Sequence, residues 1–149
     1  MTTIDYGAAR AAMVENQIRA CKVLDPDLLE FLLQMPREQF VPPEVRSISY
    51  MEGHVPLPCG QEMLSPLQEA YILRQLALTG SERVLVLGAG SGYLTAMLAM
   101  QSAEVVACEL HEQLVQLATD NLHAHGVESA TVMALNGMDE EACAALDGS

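Results

Sequence analysis

Three glycines in a fixed spacing form the clearest chemical pattern of this sequence. Gly88, Gly90 and Gly92 follow the apolar run 84–87 directly. Such a run is typical of a buried parallel strand, and glycine lets the next turn approach a ligand where a Cβ would collide. A helix starting near Tyr93 would point its free N–H groups at that ligand. In dinucleotide-binding sites the ligand is a pyrophosphate and the sequence pattern is G-x-G-x-x-G. Here Tyr93 stands where the last glycine of that pattern would be. Alternatively, the three glycines form only a tight loop that binds no ligand.

An acidic residue supplies a second signal. Glu109 ends the predicted strand 104–109 and lies 21 residues after Gly88. An acid at the end of the second strand is placed to accept hydrogen bonds from both hydroxyls of a ribose. The order strand, glycine turn, helix, strand and acid therefore predicts a nucleoside-binding site, whereas Glu109 alone could be a solvated strand end.

Composition limits the partners and the compartment. The 149 residues carry 20 acidic and 7 basic side chains, a formal net charge of −13. That balance argues against nucleic acid, whose binding depends on neutralising phosphates with Lys and Arg. The sequence has no charged leader and no apolar run of about 18 residues, so we expect no membrane segment and a cytoplasmic protein.

The cysteines do not form a metal-binding or disulfide pattern. They are widely scattered, without a C-x-x-C pair or a histidine at metal-ligand spacing; they are Cys21, Cys59, Cys108 and Cys143. We therefore predict no metal site, and reduced thiols.

Residues 1–80 are predicted to form a helical and loop region. Expected here are a helix capped by Asp5 and reaching about Cys21, and a helix that starts at Asp25-Pro26, with the Asp25 carboxylate as its cap, and ends by Pro36. A proline-bearing extended piece at 40–43, a short helix at 44–49, and a loop or two short extended pieces at 51–66 are expected to follow. The last element is a helix from 67 to about 77 with Gly80 as its stop.

Residues 81–149 are predicted to form the front half of a Rossmann-like cofactor-binding domain. The expected strands are 83–87, 104–109 and about 130–135, the expected helices 93–100 and 111–125, and Asn136-Gly137 is a turn. A doubly wound sheet usually has about five to seven strands. We therefore expect a truncated α/β chain; a complete three-stranded fold is the alternative. Uncovered apolar surface should then drive self-association, for example a homodimer through the exposed sheet edge.

Several segments together resemble one enzyme family. They are Met13-Val14 with 17–19, the run 35–42 (MPREQFVP), the run 87–93 (LGAGSGY), and Asn136-Gly137. The chain resembles protein-L-isoaspartate O-methyltransferase over nearly its whole length. That resemblance implies a class I methyltransferase fold, S-adenosylmethionine as cofactor with S-adenosylhomocysteine as product, and methyl transfer to the α-carboxyl of isoaspartyl residues in damaged proteins.

The resemblance also implies roles for individual residues. The glycines would approach the methionine part of the cofactor, Glu109 would hold the ribose, and Asn136 would replace the usual acid at the adenine. The full implied cofactor-binding set is Gly88, Ala89, Gly90, Ser91, Gly92, Tyr93, Glu109, Leu110, Asn136 and Gly137.

One loop departs from the family pattern. The family has a Thr-Ile-Ser-Gln-Pro run whose serine faces the substrate, whereas residues 62–66 read EMLSP. Leu64 stands at the position of the family's serine, and its side chain cannot hydrogen-bond a carboxylate. The next residue, Ser65, is the one candidate catalytic residue. Gln61, Leu64 and Ser65 are the implied substrate-facing residues. The departure leaves open a different methyl acceptor and, together with the expected truncation, a catalytically incomplete cofactor-binding or dimerising module. An NAD-dependent oxidoreductase is the third alternative.

Overall fold

The computed structural model describes residues 3–136, 139 and 141. The chain forms two compact units, Met1–Ala77 and Leu78–Ser149. The boundary lies three residues before the one expected at residue 80.

The first unit contains helices joined by short 3₁₀ turns. Its elements are α1 (Tyr6–Met13), a π-helical turn (Val14–Ile18), a 3₁₀ turn (Arg19–Cys21), α2 (Pro26–Gln34), 3₁₀ turns at Arg37–Phe40, Pro43–Ile48 and Pro58–Gly60, and α3 (Pro66–Leu76). Asp5 caps α1 as predicted, its side chain accepting a hydrogen bond from the Ala8 N–H at 3.0 Å.

Three local expectations for this unit were wrong. The Asp25 side chain makes no capping hydrogen bond, although α2 does begin at Pro26. Ala77, not Gly80, ends α3, because it adopts a left-handed conformation (φ 45°) in which its N–H donates to the Leu73 carbonyl. The piece 40–43 is not extended throughout, since Phe40 and Pro43 belong to the 3₁₀ turns that flank it.

The second unit is built on a parallel sheet. It contains β1 (Arg83–Leu87), α4 (Tyr93–Gln101), β2 (Glu104–Glu109), α5 (Glu112–Ala124) and β3 (Ala130–Ala134). Within the described residues the strand order is β1-β2-β3, and every pairing is parallel. The predicted strands and helices of this half were therefore placed to within one or two residues.

The two faces of the sheet differ in how well they are covered. On one face Ala107 packs with Ala89 and with Ala118 of α5, flanked by Val86 and Val132. Leu85 and Leu87 alternate to the other face and are 49% and 54% exposed. The expectation that the first strand is buried on both faces was therefore wrong for the described residues, because both crossover helices pack on the same side.

No helix in the part of the chain that the structure describes has the length and hydropathy needed to cross a membrane.

Candidate functional site

The glycine turn between β1 and α4 has a backbone that other residues rarely adopt. Gly88, Gly90 and Gly92 have φ angles of 94°, 56° and 87°. These left-handed values are strained for a residue that has a Cβ. The N–H groups of Gly88 and Ala89 both donate to the Cys108 carbonyl, at 2.8 and 3.1 Å. The turn is thus fixed to the end of β2.

Two of these glycines face different surroundings. A Cβ placed on Gly92 would lie 3.1 Å from the Cα and 3.2 Å from the carbonyl oxygen of Ala118. Gly92 therefore allows the start of α4 to pack closely against α5. A Cβ on Gly88 would meet nothing within 4 Å. Open space therefore lies beside Gly88, on the side where a Cβ would project.

Glu109 contacts the glycine turn directly. Its Oε1 accepts a hydrogen bond from the Gly90 N–H at 3.0 Å, and its Oε2 accepts one from the His111 N–H at 3.1 Å. The side chain is held in this orientation and is only 6% exposed. Each carboxylate oxygen can accept more than one hydrogen bond, so both keep capacity for a ligand hydroxyl. The structure thus brings together the two strongest features of the sequence.

Three other residues of the expected cofactor set have buried side chains. Ala89, Ser91 and Tyr93 are all nearly inaccessible to solvent. The Ser91 carbonyl also accepts a hydrogen bond from Asn121 Nδ2 of α5 at 2.8 Å. Any part these residues take in binding would have to come from their backbone, since their side chains are buried.

The remaining members of that set follow the ends of β2 and β3. Leu110 comes next to Glu109 and is largely exposed. The Leu135 N–H donates to the Glu109 carbonyl at 3.1 Å, which places the exposed Asn136 just beyond the same end of the sheet. Gly137 lies outside the described residues.

The expected substrate-facing residues belong to the first unit. Ser65 is the N-cap of α3: its Oγ accepts from the Gln68 N–H at 3.2 Å, and Gln68 Oε1 accepts from the Ser65 N–H at 2.9 Å. This reciprocal pair is a capping box, so the Ser65 hydroxyl has a structural partner. Leu64 is 38% exposed and Gln61 is exposed.

A buried ion pair beside this segment was not predicted from the sequence. Arg37 Nη1 donates to Glu69 Oε1, and both side chains are buried. Arg37 also donates from Nε to the Ser49 carbonyl at 2.6 Å and from Nη2 to the Leu64 carbonyl at 3.1 Å. Burial raises the pKa of Glu69 to about 7, against the opposing effect of Arg37.

A second polar cluster joins other parts of the first unit. Arg10 donates to the Tyr50 hydroxyl and to Glu38 Oε1, both at 2.8 Å, and Tyr50 donates to Glu38 Oε2 at 2.6 Å. Burial, with the hydrogen bond to Glu38, raises the pKa of Tyr50 to about 12. Arg37 and Glu38 both lie in the MPREQFVP run, the one sequence signal that could have pointed to these clusters.

Among the described residues, no group of three or more His, Cys, Asp or Glu side chains could hold a metal ion.

Comparison with known proteins gives a consistent set of relatives. A sequence model for protein-L-isoaspartate(D-aspartate) O-methyltransferase (PCMT) matches residues 8–142. A protein-L-isoaspartate O-methyltransferase of Methylorubrum populi is 40% identical over 120 residues, covering 80% of this chain and 57% of that protein. A protein-L-isoaspartate O-methyltransferase 1 of Rhodopseudomonas palustris is 39% identical, covering 85% and 52%. The chain thus spans about half the length of these relatives.

Solved structures agree on the fold. A protein-L-isoaspartate O-methyltransferase from Plasmodium falciparum, in complex with S-adenosyl-L-homocysteine, superposes with a TM-score of 0.75 at 23% identity, over 97% of this chain and 70% of that one. A second protein-L-isoaspartate O-methyltransferase structure gives a TM-score of 0.70 at 21% identity, over 86% and 42%. The predicted Rossmann-like methyltransferase fold is thereby confirmed.

Proposed function

Since this chain belongs to the protein-L-isoaspartate(D-aspartate) O-methyltransferase family, we propose that it is the cofactor-binding portion of an S-adenosylmethionine-dependent O-methyltransferase. The single observation that carries the proposal is the hydrogen bond between Glu109 and the Gly90 N–H. It places an oriented carboxylate at the turn that follows the first parallel strand, where this fold binds nucleosides.

The residues at this turn fit the proposed cofactor. The Glu109 oxygens would accept hydrogen bonds from the ribose hydroxyls, and the open space beside Gly88 would admit the part of the cofactor nearest the turn. Asn136 would meet the adenine, because its amide offers both a donor and an acceptor. Gly92 would contribute by holding α4 against α5.

The proposed reaction requires little acid–base chemistry from the protein. S-adenosylmethionine supplies a methyl group already activated on a sulfonium. An acceptor carboxylate is ionised at neutral pH and needs no general base. The chain's contribution would be to hold the two reactants in place, an effect that can supply roughly 7–11 kcal/mol of the rate enhancement.

Isoaspartyl residues in damaged proteins, or a related carboxylate, are the proposed acceptor. Family membership supports the isoaspartyl group, whereas Leu64 favours a related one, because its side chain offers no hydrogen bond to a carboxylate. Transfer of labelled methyl to an isoaspartyl peptide, with the aspartyl isomer as control, tests this choice. Labelling of the isoaspartyl peptide alone supports repair; labelling of neither peptide requires another acceptor.

The cofactor is tested separately by calorimetry with S-adenosylhomocysteine and with NAD. We expect binding of the first and not of the second. Binding of NAD without any response to S-adenosylhomocysteine would instead assign the chain to the oxidoreductases.

A dimerising module of the same fold is a second candidate function. Within the described residues β1 pairs with β2 alone, and its Leu85 and Leu87 are about half exposed. Exposed apolar surface beside an open strand edge favours pairing with a second copy. Sedimentation velocity should then give a dimer that Leu87→Lys dissociates and Met100→Lys, at an exposed position on α4, does not. A monomeric wild-type chain would contradict this candidate.

We also propose a protein or peptide partner in the cytoplasm. The net charge of −13 disfavours nucleic acid, and the scattered cysteines favour a reducing compartment.

A further inference from the structure

Residues 61–65, here called the acceptor loop, are paired with residues 55–57 by two backbone hydrogen bonds. The Leu57 N–H donates to the Gln61 carbonyl and the Met63 N–H donates to the Val55 carbonyl, both at 2.8 Å. Pro56 and Glu62 form an antiparallel bridge between these two bonds. The loop is therefore a short extended segment, in which successive side chains alternate in direction.

Arg37 fixes the far end of this loop. Its buried guanidinium donates to three groups that lie far apart in the sequence: the Ser49 carbonyl, the Leu64 carbonyl and the Glu69 carboxylate. Glu69 lies in the first turn of α3. Arg37 thereby ties the Leu64 carbonyl to the start of α3 and to the 3₁₀ turn that ends before Ser49.

This contact decides which side chain the loop presents. Met63 is buried, and the Ser65 hydroxyl caps α3. Leu64, whose carbonyl accepts from Arg37, is 38% exposed, and the alternation places its side chain on the same face as the exposed Glu62. A shift by one residue would reverse the alternation and would break the Arg37 contact and the capping box together.

We propose that Arg37 is a positioning residue of the acceptor loop, holding its register so that Leu64, and not Ser65, is presented to the methyl acceptor. The proposal rests on the function proposed above, because only a methyltransferase gives the loop an acceptor. It assigns to this site an acceptor with apolar surface beside its carboxylate, since Leu64 offers apolar contact and no hydrogen bond.

Stability alone does not account for an arginine at this position. A buried ion pair is weak evidence for stability, since apolar residues of similar volume often serve as well. Arginine carries five N–H donors in a rigid fork, and here the fork spans two carbonyls and a carboxylate. Lysine would keep the charge beside Glu69 but could not reproduce that geometry.

Hydrogen exchange of the full chain distinguishes positioning of the acceptor loop by Arg37 from a contribution to stability alone. In Arg37→Lys, we expect the Met63 and Ser65 amides to exchange about tenfold faster than in the wild type, as the loss of a hydrogen bond from a charged group predicts. Amides of α1 should not change relative to the wild type. Arg46→Lys is the matched control, because Arg46 Nε donates to the Glu38 carbonyl outside the loop.

Steady-state kinetics measure KM for the methyl acceptor, which a purely structural role of Arg37 would not change. Arg37→Lys should raise KM for the methyl-accepting peptide about tenfold, with kcat and S-adenosylhomocysteine affinity unchanged. A folded Arg37→Lys variant with wild-type loop exchange and wild-type KM would overturn the proposal.

A double variant covers the case in which Arg37→Lys does not fold. Arg37→Met with Glu69→Met removes both buried charges together, and its loop amides should still lose protection because Leu64 lacks its donor. Full loop protection in that variant would overturn the proposal. If the wild type binds no S-adenosylhomocysteine and methylates nothing, the proposed function fails, whereas loop exchange still decides whether Arg37 holds the loop.

Discussion

Alanine at Gly92 and at Gly88 gives a matched pair of substitutions, because both glycines have a positive φ and they differ in their surroundings. Both have positive φ, at 87° and 94°, so alanine strains either position by roughly 1–2 kcal/mol. At Gly92 the new methyl would also lie 3.1 Å from Ala118 Cα and 3.2 Å from its carbonyl oxygen. Those are backbone atoms, which cannot rotate away, and overpacking of this kind costs about 1–3 kcal/mol. Gly92→Ala should therefore lose about 2–5 kcal/mol of unfolding free energy, and Gly88→Ala only about 1–2 kcal/mol.

The same pair should show the opposite order in cofactor binding. The methyl of Gly88→Ala would project into the open space proposed for the cofactor, so this variant should lose more S-adenosylhomocysteine affinity than Gly92→Ala. Urea unfolding and calorimetry measure the two quantities independently. Equal stability losses would refute the packing role of Gly92. Wild-type affinity in Gly88→Ala would show that the ligand does not use that space.

Three further substitutions test other contacts. Gly90→Val should abolish cofactor binding in calorimetry, because a β-branched residue is poorly tolerated at φ 56° and would crowd the nucleoside; unchanged affinity would place the ligand elsewhere. Ser65→Ala should lose about 1 kcal/mol of unfolding free energy with its capping hydrogen bond while methyl transfer persists; lost transfer at unchanged stability would give Ser65 a chemical role. Because the pKa of Glu69 rises from 4.5 to about 7 on folding, the folded chain binds more protons between these values, and stability should fall as the pH rises through that range. At about 1.4 kcal/mol per pH unit the fall is at most about 3 to 4 kcal/mol. Urea titrations at several pH values should show it in the wild type and not in Glu69→Gln, and identical slopes would contradict it.

Local sequence signals were sufficient for the strands and for placing Glu109 near the glycine turn. An apolar run that stops at glycine marks a strand end, and parallel strands bring their carboxyl ends to one edge of the sheet. The position of Glu109 beside the turn then follows from topology. The exposure of Leu85 did not follow, because an apolar run cannot show whether a second layer covers its outer face.

Long-range polar contacts could not be read from spacing. Arg37 and Glu69 are 32 residues apart. Arg37 lies in a 3₁₀ turn and Glu69 in α3, and no hydrophobic periodicity in the sequence connects these two elements. The role of Ser65 was accessible, however, because Ser65-Pro66-Leu67-Gln68 fits the capping-box pattern at a helix start. The capping box accounts for the role of Ser65 better than its place one residue after the family's serine position does.

The central claim is that Glu109 holds a nucleoside at the glycine turn, and calorimetry of two glutamate variants tests it most directly. Glu109→Ala removes the carboxylate at the turn, whereas Glu104→Ala removes an exposed one that pairs with Arg83 at the other end of β2. Glu109→Ala should weaken S-adenosylhomocysteine binding by about 1–3 kcal/mol, or about 5- to 150-fold in Kd, and Glu104→Ala should leave it unchanged. Equal affinity in the two variants would contradict the account.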